Sequence, residues 1–165
     1  MIALRFQFFA GRLHATAWGS HVNEGVPDWP PAPWRICRAL IATWFHKHRL
    51  VVDEDRVREL IDSLAVEAPS YALPAVTSSH TRHYMPGKAG NAEQGKMIFD
   101  TFVQLSPGEA LTVLWPVELD AAQRELLAAL LASMNYFGRA ESLVEATLLP
   151  ATALHPARTA RPVTE

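Results

Sequence analysis

Four histidines in this chain sit where they could move protons: His14, His21, His80 and His83. An imidazole titrates near neutral pH, so one ring can take a proton while another gives one. Metal-free cleavage of an RNA strand asks for such a pair, a base for the 2′-OH and an acid for the leaving oxygen. HTRH at 80–83 also has the H-x-x-H pattern of a metal site. It has no cysteine or paired carboxylate beside it and reads as part of a loop, so no metal is expected there. His21 with Asn23 and Glu24 makes the densest polar cluster, and it reads as a loop-ordering or RNA hydrogen-bonding set. His46, His48 and His155 read as ordinary surface or hydrogen-bonding residues. No Walker loop, dinucleotide fingerprint or G-x-S-x-G motif occurs, so no cofactor is expected.

Cations and aromatic rings form the second group. The formal net charge is −2, which decides nothing, but residues 1–50 carry Arg5, Arg12, Arg35, Arg38, Lys47 and Arg49 against Glu24 and Asp28. Residues 51–70 reverse the sign. A basic segment in a near-neutral chain suits a local anion-binding face. Within it, HVNEGVPDWPPAPWR (21–35) packs four prolines and two tryptophans, Trp29 and Trp34, ahead of a basic helix. Trp29 fits either a stacking surface or a plug on the core, and Trp34, at the helix start, fits the plug. Lys88 and Lys96 bracket a glycine-rich stretch, and Gly138–Arg139 in YFGRAES would let backbone N–H groups approach a phosphate.

The elements that position these groups can be read from periodicity. Residues 2–10 alternate as a strand. A helix spans about 34–48, with Cys37, Leu40, Ile41, Trp44 and His48 on its inner side. Arg35, Arg38, His46 and Arg49 would then form an outward stripe. Asp53 opens a second helix, 71–78 is a short strand, and 79–96 is an aperiodic polar loop. Residues 97–105 and 110–117 read as a hairpin. Asp120 and Gln123 make a capping box for a last helix, and 143–150 is a final strand. The order β-α-(α)-β-β-α-β predicts an α+β fold: a ferredoxin-like (RRM-like) antiparallel sheet with helices on one face. Residues 1–150 form that domain, and 151–165 read as a linker or tail. One cysteine, Cys37, precludes an internal disulfide. With no apolar stretch of membrane-spanning length and no signal peptide, the expected setting is the cytoplasm, without a membrane partner.

Three stretches carry a family resemblance. LHATAWGSHVNEGVPDWPPAPWRICRALIATW (13–44) resembles the amino-terminal signature of a CRISPR family, and HYMPGKAGNAEQGKMIFDTFVQL (83–105) and YFGRAESLVEATL (136–148) support it. That family, of type I-U (or I-G) systems, fuses the Cascade subunit capping the crRNA 5′ handle to a repeat-cleaving endoribonuclease of the RAMP superfamily. The resemblance covers the handle-capping half. It implies a second ferredoxin-like domain, carrying the nuclease, beyond this sequence.

The resemblance also implies a role in antiviral defence, with crRNA and the backbone and large subunits of Cascade as partners. It places the loop entering the first helix near RNA. The residues expected to touch RNA are Arg12, His21, Asn23, Trp29, Arg35, Arg38, Lys88, Lys96, Gly138 and Arg139. Catalysis is expected in the longer polypeptide, which would process precursor crRNA, rather than in this chain. Two other readings stand beside this one: a metal-independent endoribonuclease using His14, His21, His80 or His83, and a scaffold that binds protein alone.

Overall fold

The alternation at the start of the chain becomes strand β1, Ile2–Phe8, with Ile2, Leu4, Phe6 and Phe8 turned into the core. The computed structural model describes residues 1–21, 24–85, 95–150 and 159–161. After β1 come β2 (Arg12–Leu13), α1 (Pro33–Thr43), a π-helical turn (Trp44–His48), α2 (Glu54–Ala65) and β3 (Ser70–Ala72). Then follow β4 (Val76–Met85), β5 (Lys96–Leu105), β6 (Leu111–Trp115), α3 (Ala121–Ala132), β7 (Val144–Leu149) and β8 (Thr159–Ala160).

The main sheet runs β7-β1-β6-β3-β8 and every pairing in it is antiparallel. Without the short β8, that is the ferredoxin-like strand order, with β4 and β5 inserted between its second and third strands. The register puts Leu4 opposite Val113, Phe6 opposite Leu111 and Ala146, and Tyr71 opposite Val113, so one face of the sheet is continuously apolar. The helices bring Ile36, Leu40, Val57, Leu60, Leu64, Leu127 and Leu130 into the same core. Each buried aliphatic side chain contributes about 1.5–3 kcal/mol, which offsets the backbone ordering. The predicted α+β class, with helices on one face of an antiparallel sheet, is what the chain adopts.

Local chemistry fixes the ends of these elements. Asp120 accepts the Gln123 amide at 2.8 Å while the Gln123 side chain accepts the Asp120 N–H at 3.2 Å, the predicted capping box. Buried Trp115 donates through Nε1 to the carbonyls of Leu64 (2.7 Å) and Glu67 (2.8 Å), closing the end of α2. Tyr71 donates its hydroxyl to the Pro31 carbonyl at 2.7 Å, tying the proline loop to the sheet. Burial, with Asp28 nearby, pushes the Tyr71 hydroxyl up in pKa, so it remains a donor.

Three local expectations are corrected. Residues 97–105 and 110–117 do not pair with each other: β5 pairs with β4 and β2 in a separate three-stranded sheet, while β6 joins the main one. Residues 79–85, expected in a loop, belong to β4; 86–94 lie outside the described residues. β4 is exposed along almost its whole length, so it has no alternating apolar signal to read. The inner side of helix α1 is rotated from the expected one: Leu40 is buried and Cys37 and Trp44 pack against the core as expected, but Ile36 and Thr43 are buried too and Ile41 is 40% exposed. Thr43 is tolerated inside because its hydroxyl donates to the Ala39 carbonyl at 2.8 Å. At the chain end, Thr159 and Ala160 pair with Ala72 and Tyr71 at the sheet edge.

Candidate nucleic-acid interface

Two neighbouring regions gather His14, His83, Arg35, Arg38, Gly138 and Arg139 from the residues singled out in the sequence. The first centres on Asp100, a buried carboxylate on β5. Arg139 donates from Nη1 to its Oδ1 at 2.9 Å. His83 Nε2 stands 3.5 Å from its Oδ2, and His14 Nε2 stands 3.7 Å from its Oδ1. The other His14 nitrogen, Nδ1, meets Glu141 Oε1 at 2.5 Å. His14, Asp100 and Arg139 come from the three stretches that carry the resemblance, which therefore converge in space.

The backbone makes this convergence possible. Phe137 is fully buried and stacks on Phe6 at 5.1 Å, anchoring the turn that follows α3. Gly138 has φ of +90°, and a Cβ there would lie 2.6 Å from the His14 carbonyl oxygen. The Arg139 amide donates to that oxygen at 2.9 Å, and the His14 amide donates to the Ser142 hydroxyl at 2.8 Å. Gly138 thus serves close packing of chain on chain.

Burial first, then the Arg139 guanidinium, lowers the His14 pKa and outweighs the pull of Glu141 and Asp100 in the other direction. His14 is therefore neutral at neutral pH, and the short contact assigns its proton to Nδ1, donating to Glu141. With one nitrogen facing buried Asp100 and the other half-exposed Glu141, His14 ties its segment to β5 and to the turn after α3. His83 differs, because its ring is half exposed.

The second region is a groove of about 460 Å³ along the outer face of α1. Trp34, Arg38, His46 and Lys47 line one side, and Asn135 and Tyr136 the other, with Gly138 at the end. From the π-helical turn, Lys47 donates to the Ser133 carbonyl and to Asn135 Oδ1 (2.8 Å), and His48 bonds the Ser133 hydroxyl at 2.8 Å. A lysine at the carbonyl end of α3 also suits the helix dipole. Arg38 is exposed and has no carboxylate partner among the described residues; its guanidinium lies 5.2 Å from the Trp34 ring centre.

Arg35 does not join the outward stripe. It ion-pairs with buried Asp28 and donates from Nη2 to the Thr16 carbonyl at 2.6 Å. Asp28 also accepts the Ala32 amide at 3.3 Å, just ahead of α1. The proline- and tryptophan-rich run is thus a loop clamped to the start of its own helix. Of its two tryptophans, Trp29 takes the plug position, one of its two expected places, and Trp34 departs from the plug expected of it. Trp29 packs against the core, whereas Trp34 faces the groove beside Arg38 and meets Trp18 edge to face at 5.1 Å.

The remaining expected residues are scattered. Arg12 lies over the Phe102 ring at 4.2 Å, and its Nε is buried without a hydrogen-bond partner among the described residues. His21 is exposed at the loop. His80 stacks on Phe99 at 5.4 Å, and Lys96 stands exposed at the start of β5 opposite Met85. Asn23 and Lys88 lie outside the described residues. Among the described residues no cluster of three or more His, Cys, Asp or Glu side chains is placed to hold a metal ion, and no helix is long and apolar enough to cross a membrane. Asp100, Glu141, Trp18 and Tyr136 went unnoticed in the sequence. Asp100 alone left a trace: it is the one charged residue inside the apolar alternation of MIFDTFVQL, a position that calls for a partner.

No protein-family model matches the sequence, and no curated protein does. Among solved structures, a Cas6 chain from Thermus thermophilus is similar, with a TM-score of 0.45 and 16% identity over 89% of this chain. The match takes in 53% of that chain, so this sequence spans about half its length.

Proposed function

We propose that this chain is an RNA-binding subunit of a CRISPR surveillance complex and holds the single-stranded 5′ handle of crRNA. The observation that carries the reading is the groove along α1. It is built from two of the stretches that resemble the handle-capping family: 13–44 supplies Trp34 and Arg38, and 136–148 supplies Tyr136 and Gly138. Basic side chains along an open groove complement the phosphates of a single strand. Arg38 and His46 are the phosphate contacts in this reading, while Arg35 fixes the loop. Processing of precursor crRNA, and docking to the backbone and large subunits, belong in this reading to the longer polypeptide. The test is binding of the cognate repeat RNA across a salt series. Affinity that falls steeply with salt, and less steeply in Arg38→Ala, supports the reading. No affinity at low salt ends it, and affinity untouched by charge reversal at Arg38 favours a protein-binding scaffold instead.

One observation favours a second reading, a metal-independent endoribonuclease: the exposed His83 ring stands 3.5 Å from the Asp100 carboxylate, which can orient it. Incubation with repeat RNA in EDTA decides between them. Cleavage abolished by His83→Ala assigns the chemistry to this chain, and intact RNA removes that reading.

A further inference from the structure

We infer that Trp18 is a stacking platform for one unpaired nucleobase at the end of the α1 groove. This rests on the RNA-binding reading and adds to it the part of the ligand recognised: a base, in addition to the phosphates. Trp18 is 77% exposed, the most exposed of the large aromatic side chains described. Leaving an indole in water forgoes the stabilisation that burial would give, so its setting calls for an explanation.

The ring is held in place. Its edge-to-face contact with Trp34 fixes one side, and Trp34 is flanked by the guanidinium groups of Arg35 and Arg38, each 5.2 Å from its ring centre. The backbone around Trp18 is closed by two hydrogen bonds, Ala17 N–H to the Val26 carbonyl at 3.1 Å and Ser20 N–H to the Ala17 carbonyl at 3.2 Å. Gly19, with φ of +82° and nothing within 4 Å of where a Cβ would stand, makes the tight turn beside it without crowding the ring. The platform is therefore preorganised, which lowers the entropy lost when a ligand is bound.

The surroundings select the ligand. Cations near an aromatic face repel ammonium groups and attract anions, which excludes methylated lysine and choline-like ligands. Trp34 lines the groove and touches Trp18, so the platform continues the track of Arg38, His46 and Lys47. A ligand with a flat π-face joined to a chain of anions fits that sequence of groups. Single-stranded RNA has this form, and duplex RNA does not, because its bases are stacked inside.

The experiment measures binding of two probes to the whole chain: a short oligoadenylate, and a strand of equal length in which the ribose-phosphate backbone lacks bases. The wild-type chain is expected to bind oligoadenylate roughly 5- to 150-fold more tightly, the equivalent of one base stack. Trp18→Ala should abolish that preference while keeping affinity for the abasic strand and its salt dependence. Trp18→Phe should retain part of the preference, and Trp18 emission should be quenched by oligoadenylate. Wild-type binding without a preference for bases overturns the platform and leaves the phosphate groove standing. A preference that survives in Trp18→Ala also overturns it. If neither strand binds, the RNA reading and the platform fall together.

Discussion

The Asp100 cluster and the α1 groove meet at adjacent residues, for Gly138 ends the groove and Arg139 belongs to the cluster. Both gather Arg, Lys or His side chains, yet they differ in what those side chains face. Around Asp100 the Arg139 guanidinium and the imidazoles of His14 and His83 face carboxylates, and the region joins β4, β5, the His14 segment and the turn after α3. Along the groove Arg38 is left open to solvent. A positive side chain paired within the protein ties its segments together, whereas one left open stays available to an external anion. Arg35 shows that position on a helix does not decide this. It lines the groove, but its partners make it part of the scaffold.

Arg35→Ala tests that division most strongly. Removing it leaves buried Asp28 without its counter-charge, and stability should fall by about 3–5 kcal/mol in a denaturant titration. An unchanged midpoint together with weakened RNA binding would place Arg35 among the open cations. Next comes Gly138→Ala, at the junction. Its positive φ and the close His14 carbonyl predict a loss of about 1–3 kcal/mol, accompanied by weaker RNA binding because the turn serves both regions. Stability without loss would mean that the turn can relax.

The pH dependence is smaller and belongs to the cluster alone. His14 is held neutral when folded, with its pKa below the ordinary value of 6.5. The unfolded chain therefore takes up the proton first on acidification. The His14 contribution is full above the unfolded value and is lost as pH falls through the folded one. Unfolding midpoints should decline from mildly alkaline to mildly acidic pH, and His14→Gln should flatten the decline; an equal slope in both would assign it elsewhere. Smallest in stability is Arg38→Ala. Its midpoint should stay within about 0.5 kcal/mol of the wild type, as for an exposed change. Its slope of log affinity against log salt should shrink by about 0.7, one single-strand phosphate contact. An unchanged slope would remove Arg38 from the binding face.

What could be read in the sequence was local. The Asp120–Gln123 capping box works over three residues, and the β1 alternation needs only the pleat, so both were legible. The α+β class followed from their order. Strand β4 was hidden because it buries almost nothing, and hydrophobic period is the signal by which strands are found. The Arg35 clamp was hidden because the helical period shows a face without showing what covers it. His14, His83 and Arg139 were each singled out, but their common partner Asp100 lies far away in sequence from two of them. Trp34, read as a plug, lines the groove instead, because sequence position says nothing of which ring finds the core.

The inserted pair β4–β5 has a consequence for how the molecule opens. On β5 the residues from Asp100 to Leu105 include Phe102, Val103 and Leu105, all buried, whereas Lys96 to Phe99 bury none. On β4 no residue is buried. The outer half of the hairpin can therefore open without exposing any core, and among the described residues its amides are expected to exchange early. Fraying inward, it meets its first barrier at Asp100, where an ionic knot replaces apolar contact as the stop. One carboxylate thereby divides the hairpin into a tip without buried side chains and a base where β5 enters the core.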